Sequence, residues 1–86
     1  MKIKEGFILR NVGGQAVVVA VGEASKVFNG MIKLNSTGEF LWRQIMAGAD
    51  EEQLVKKLSG EYDVDEVTAS DDVAAFVKKL KNTGII

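Results

Sequence analysis

The chain has 86 residues, 47% of them hydrophobic, and a formal net charge of −1. That length suffices for one domain burying roughly 60–65% of its unfolded surface around a single modest core. With no cysteine and no histidine, disulfides and thiolate or imidazole metal sites are excluded, and the net charge supplies no long-range pull toward polyanions.

A single domain over residues 1–86 is expected. Met1–Gly6 leads into no long apolar run with a small-residue cleavage site, so no signal peptide is expected. The longest apolar run, Ala16–Val21, falls far short of the roughly 20 residues a spanning helix needs. The expectation is a soluble, cytoplasmic, monomeric domain with no membrane partner.

Residues 6–12 are β-rich and end at Gly13-Gly14. A Gly-Gly pair between apolar runs predicts a two-residue hairpin, because a type I′ turn needs positive φ at both central positions. The return strand, Gln15–Val21, is apolar on both faces and reads as central. Gly22–Lys26 reads as a polar loop. A third strand begins either at Val27-Phe28, interrupted at Asn29-Gly30, or at Met31, and ends at Leu34.

The first helix opens at Asn35 or Ser36. Ser36-x-x-Glu39 has capping-box spacing, Phe40, Leu41 and Ile45 form the apolar stripe, and Gly48 stops the helix. Asp50-x-x-Gln53 is a second box-like start, followed by Leu54, Val55 and Leu58, with Gly60 late in or ending that helix. Asp65 caps a third helix whose Val73, Phe76, Val77 and Leu80 follow the i, i+3, i+4, i+7 rule. Gly84 stands where a left-handed C-cap would, with Ile85-Ile86 free to fold back. The fold class is α+β and winged-helix-like: a three-stranded antiparallel meander followed by a three-helix bundle, β-β-β-α-α-α. Trp42 or Phe40 is expected to join the two layers.

No chemistry emerges from these residues. The carboxylates cluster at helix starts and loops, where capping accounts for them, and no pair is set to split its pKa values. The serines lack a histidine to activate them. Gly13-Gly14 lacks the Gly-Lys-Ser/Thr of a phosphate loop, and Asp63-x-Asp65 lacks the glycine and glutamate of a calcium loop. Neither catalysis, a metal nor a cofactor is expected.

Two binding functions compete. A winged-helix layout invites a DNA-binding regulator with the third helix as reader. That helix, however, opens with Asp65, Glu66, Asp71 and Asp72, which would meet phosphate with repulsion. Peptide binding needs only an edge strand. If Met31–Leu34 lies at the sheet edge, an extended peptide can add as a fourth strand while a neighbouring helix forms the other wall. Met31 and Phe28 suit such a wall, and suit a core position equally well.

Leu34-Asn35-Ser36-Thr37-Gly38-Glu39-Phe40-Leu41-Trp42 resembles the Leu-Asn-x-Thr-Gly-x-x-hydrophobic-Trp signature of the PqqD family. Glu61-Tyr62-Asp63-Val64 is similar to that family's acid-Tyr-x-Val link, and Asp72-Val73-x-x-Phe76 with Gly84-Ile85-Ile86 is similar to its ending. The resemblance spans about residues 6–86. It implies a recognition element that binds the leader of a ribosomally made precursor peptide. Such an element presents the leader to a modifying enzyme, often a radical S-adenosylmethionine enzyme, or to a leader protease. Carried over by position, it implies a groove with Met31, Ile32, Lys33 and Leu34 on one side. Asp72, Ala75, Phe76 and Lys79 form the other side, with Phe28 near its start. The Leu-Asn-x-Thr-Gly signature itself reads as structural, through capping and a close approach at Gly38.

Overall fold

The computed structural model describes all 86 residues. Three strands, β1 (Phe7–Val12), β2 (Gln15–Ala20) and β3 (Met31–Leu34), precede three helices, α1 (Ser36–Met46), α2 (Glu51–Glu61) and α3 (Glu66–Asn82). The strands form an antiparallel meander in the order β1-β2-β3, so β2 is central and β3 pairs with β2 alone. The hairpin closes as its sequence predicts: Gly13 and Gly14 take φ of +58° and +84°, values a side chain would strain.

One face of the sheet carries Phe7, Leu9, Ala16, Val18, Ile32 and Leu34 onto the helices. Trp42, 2% exposed, is the largest side chain in the shared core. Phe40 stays half-buried and meets Tyr62 edge-on at 5.5 Å, pinning the α2–α3 link to α1. Trp42 is thus the deeper of the two aromatic candidates.

Both capping aspartates act as their spacing implies. Asp50 and Gln53 form a reciprocal box, with bonds of 2.8 and 2.9 Å, and Asp65 accepts the Thr68 N–H at 2.7 Å. Gly84 (φ +80°) closes α3 with the Ile85 N–H on the Leu80 carbonyl, and the Ile85 carbonyl accepts from Lys4 N–H at 2.8 Å. Two fully buried residues, Leu80 and Ile85, thereby tie the end of the chain to its beginning.

Four sequence expectations are corrected. Gly22–Lys26 is a 3-10 helix rather than a loop, stabilised by the Ser25 hydroxyl on the Gly22 carbonyl at 2.6 Å and a Lys26–Glu23 contact at 3.2 Å. Val27 and Phe28 do not begin a strand, because both N–H groups bond back to the Ala24 carbonyl. The strand starts at Met31. The Ser36–Glu39 box does not form: Asn35 is the N-cap, its side chain accepting the Gly38 N–H at 2.8 Å, while Glu39 turns to Arg43. Finally, the buried stripe of α3 is Ala69, Val73, Val77 and Leu80, and Phe76 is turned off it.

Candidate functional site

The parity of the sheet decides which groups of β3 are free. In an antiparallel ladder, alternate residues of a central strand turn their N–H and C=O groups to opposite neighbours. The Val21 N–H donates to the Gly6 carbonyl at 2.7 Å, so Val21, and with it Val19 and Val17, faces β1. Ala16 and Val18 therefore bond toward β3, to their registered partners Leu34 and Ile32. That leaves the N–H and C=O of Met31 and Lys33 pointing away from the sheet, on an open edge. The end of the strand is fixed by the Gln15 side-chain amide, which donates to the Leu34 carbonyl at 2.8 Å.

A depression of about 310 Å³ lies beside this edge, lined by Lys33, Leu34, Asn35, Thr37, Gly38, Leu41, Asp72, Ala75, Phe76 and Lys79. Its helical wall is a second stripe of α3. Asp72, Ala75, Phe76 and Lys79 repeat at i, i+3, i+4 and i+7, the spacing that aligns side chains on one helix face. This stripe runs beside the buried one, so α3 faces the core and the depression at once.

Gly38 sets the floor. A Cβ there would stand 3.3 Å from Asn35 Oδ1, 3.4 Å from Phe76 Cε1 and 3.5 Å from Leu34 Cβ. The first separation is tighter than ordinary packing and the other two are close contacts, so a side chain at position 38 would press on the α1 cap and lie against the Phe76 ring. The charged rim on α3 consists of Lys79 and Asp72, both exposed and neither in an ion pair, while Lys33 borders the depression at the strand edge with its side chain on the same sheet face as Met31. A cation and a carboxylate beside an apolar floor can hold a mixed polar and apolar ligand.

Of the residues the sequence singles out, Lys33, Leu34, Asp72, Ala75, Phe76 and Lys79 meet at this depression. Ile32 is buried beneath the sheet, and Met31 is exposed on the sheet's opposite face, offering its backbone to the edge. Phe28 lies apart. Its ring stacks edge-on with Phe7 at 5.8 Å, and it lines a separate hollow with Glu23, Val27 and Gly84. Asn35, Thr37, Gly38 and Leu41 line the depression although their motif reads as structural. The available signal was the small residue at position 38, which brings the α1 cap and α3 close enough to share a cavity.

No helix is long and apolar enough to cross a membrane. The N-terminal part of α3 presents Asp65, Glu66, Asp71 and Asp72 to solvent. No curated protein matches the chain in sequence. Two solved structures share its fold. One is TbiB1 in complex with the TbiA(beta) leader peptide, 22% identical with a TM-score of 0.80, covering 99% of this chain and 93% of that one. The other is a lasso peptide synthetase B1 complexed with its leader peptide, 20% identical with a TM-score of 0.78, covering 98% and 93%. Residues 8–86 match the family described as Coenzyme PQQ synthesis protein D, and with nearly its whole length inside that match the chain belongs to the PqqD family.

Proposed function

We propose that the chain is a non-catalytic carrier that binds the leader of a ribosomally made precursor peptide and presents it to a modifying enzyme. The observation that carries this reading is the coincidence of two features: the unpaired backbone of Met31 and Lys33, and a depression bounded by that strand and α3. An extended peptide added beside β3 satisfies the free donors and acceptors, while alternate side chains descend toward Phe76 and Ala75. Backbone pairing supplies affinity tolerant of sequence, and the depression supplies selectivity. The two structures sharing the fold were both solved with leader peptides, which supports the same use here. The partner enzyme is a radical S-adenosylmethionine enzyme or a leader protease, and the carrier works as a cytoplasmic monomer, where precursors are made.

Titration of the isotope-labelled chain with the precursor leader encoded beside it tests the reading. The Met31 and Lys33 amides are expected to shift with saturation, together with residues of the Asp72–Lys79 stripe. Unshifted Met31–Leu34 amides at saturation would show that strand addition is wrong. Binding to duplex DNA that falls steeply with salt, with no peptide binding, would replace the carrier by a DNA-binding protein.

A further inference from the structure

The face of the sheet turned away from the helices is not a passive surface. Register places Ile8, Val19 and Met31 in one row across it, and Arg10, Val17 and Lys33 in the next. Val17 is only 2% exposed yet lies outside the main core cluster, on the side no helix covers. Its registered neighbours are Arg10 and Lys33, whose aliphatic stems can shelter it while their charges stay in water. Met31 at the edge is 57% exposed. The face is thus an apolar strip flanked by two cations. It carries no acid in either row, and neither Arg10 nor Lys33 has an ion-pair partner.

We propose that this face docks the peptide-modifying enzyme, through a surface of that enzyme with an apolar centre and carboxylates placed to meet Arg10 and Lys33. The occupant rests on the carrier reading above, which requires an enzyme to receive the peptide, and the unpaired Arg10 and Lys33 call for carboxylates on it. A second copy pairing through the same face would bring cations against cations. Two cations are too few for the phosphates of nucleic acid or for an anionic membrane, where clusters of four to eight are the rule. Geometry adds a consequence that rests on the strand-addition reading. Side chains of an added strand alternate between the two sides of the sheet. Those not descending toward Phe76 emerge beside Met31 and Lys33, widening this same face. The enzyme therefore meets a surface made jointly by the carrier and its peptide, and binds the loaded carrier more tightly than the empty one.

The test uses the purified modifying enzyme encoded beside this chain and the full-length chain, wild type and Arg10→Glu, with and without the leader. Arg10 lies outside the peptide depression, so the variant should bind leader and unfold as the wild type does. Its affinity for the enzyme should fall roughly five- to tenfold, with a weaker salt dependence. Methyl signals of Ile8, Val19 and Met31 should broaden when enzyme is added to wild type. Arg10→Glu binding the enzyme like wild type, or methyl changes confined to the helices, would overturn the docking face. Equal enzyme affinity for loaded and empty carrier would overturn the joint surface alone. Failure of the leader to bind wild type would instead remove the strand-addition reading and leave the docking face to stand or fall on Arg10→Glu. Arg10-dependent binding to phosphatidylglycerol vesicles, or Arg10-independent dimerisation, without an effect on the enzyme, would assign the face elsewhere.

Discussion

The sheet has two open edges, and only the β3 edge borders the depression walled by α3. By the same parity that frees Met31 and Lys33, β1 turns the backbone of Leu9 and Asn11 outward. Both edges therefore offer unsatisfied donors and acceptors. Their surroundings differ. β3 runs directly into α1 through the Asn35 cap, and α3 lies alongside, so backbone, apolar floor and charged rim converge there. The cavity takes no residue from β1, whose far end is the glycine turn, with the Asn11 side chain accepting from the Gly14 N–H at 2.9 Å. An open edge makes a strand adhesive, and a second wall makes it selective.

The largest effect is expected when the frame beneath both edges is removed. Trp42, buried where sheet and helices meet, should cost about 3–5 kcal/mol when replaced by alanine, through lost burial and the cavity left behind. Chemical denaturation measures this, and a change below about 1 kcal/mol would mean that the two layers are joined elsewhere.

A proline scan separates the edge from the ladder. Lys33→Pro removes an outward donor and no bond to β2, so leader affinity should fall at least about tenfold while thermal unfolding moves little. Ile32→Pro deletes the donor shared with Val18 and should destabilise the fold itself. In wild type, the Leu9 and Asn11 amides should stay unshifted on titration. Shifts there equal to those at Met31 would mean that the β1 edge binds as well, and that α3 adds no selectivity.

A smaller effect is expected at the rim. Asp72→Lys combined with Lys79→Glu inverts the charge order along the α3 stripe without changing net charge or the apolar floor. Because both groups are exposed, leader affinity should change only about two- to fivefold, and the change should shrink as salt is raised. Unchanged affinity at low salt, with unchanged Met31–Leu34 shifts, would move the second wall away from this stripe.

The frame was more legible in the sequence than the groove, because its signals are local. Gly13-Gly14, the Asp50–Gln53 box, the Asp65 cap and the Gly84 terminus each depend on residues within a few positions, and each forms as its spacing implies. Where two local solutions compete, spacing is insufficient. Asn35 and Ser36 both suit an N-cap, and the end of β3 at Leu34 leaves the cap to Asn35. The direction of an aromatic ring is harder still. Phe28 and Phe76 are equally plausible as core or groove residues from sequence, and only tertiary packing sends one to Phe7 and the other to Gly38. The outward backbone of Met31 and Lys33 follows from hairpin parity, which requires the register of both strand pairs.

The smallest expected effect concerns the start of the wall that distinguishes the β3 edge. Asp65 accepts the Thr68 backbone N–H at 2.7 Å, and this bond, helped by the Thr68 side chain and the Val67 N–H, holds its carboxyl below the ordinary value near 3.8 despite slight desolvation. The ionised form is therefore favoured by folding. The contribution is present in full above the unfolded pKa and is lost as pH falls through the lower folded pKa. Asparagine can cap a helix but does not titrate in this range. The stability difference between wild type and Asp65→Asn should thus hold steady from pH 7 to about 5, then shift against wild type as acid protonates Asp65. Amide exchange should show the loss first at Glu66–Thr68, at the head of α3, with β1 unaffected. A difference constant down to pH 2, or exchange that rises equally in β1, would mean that this cap does not secure the wall.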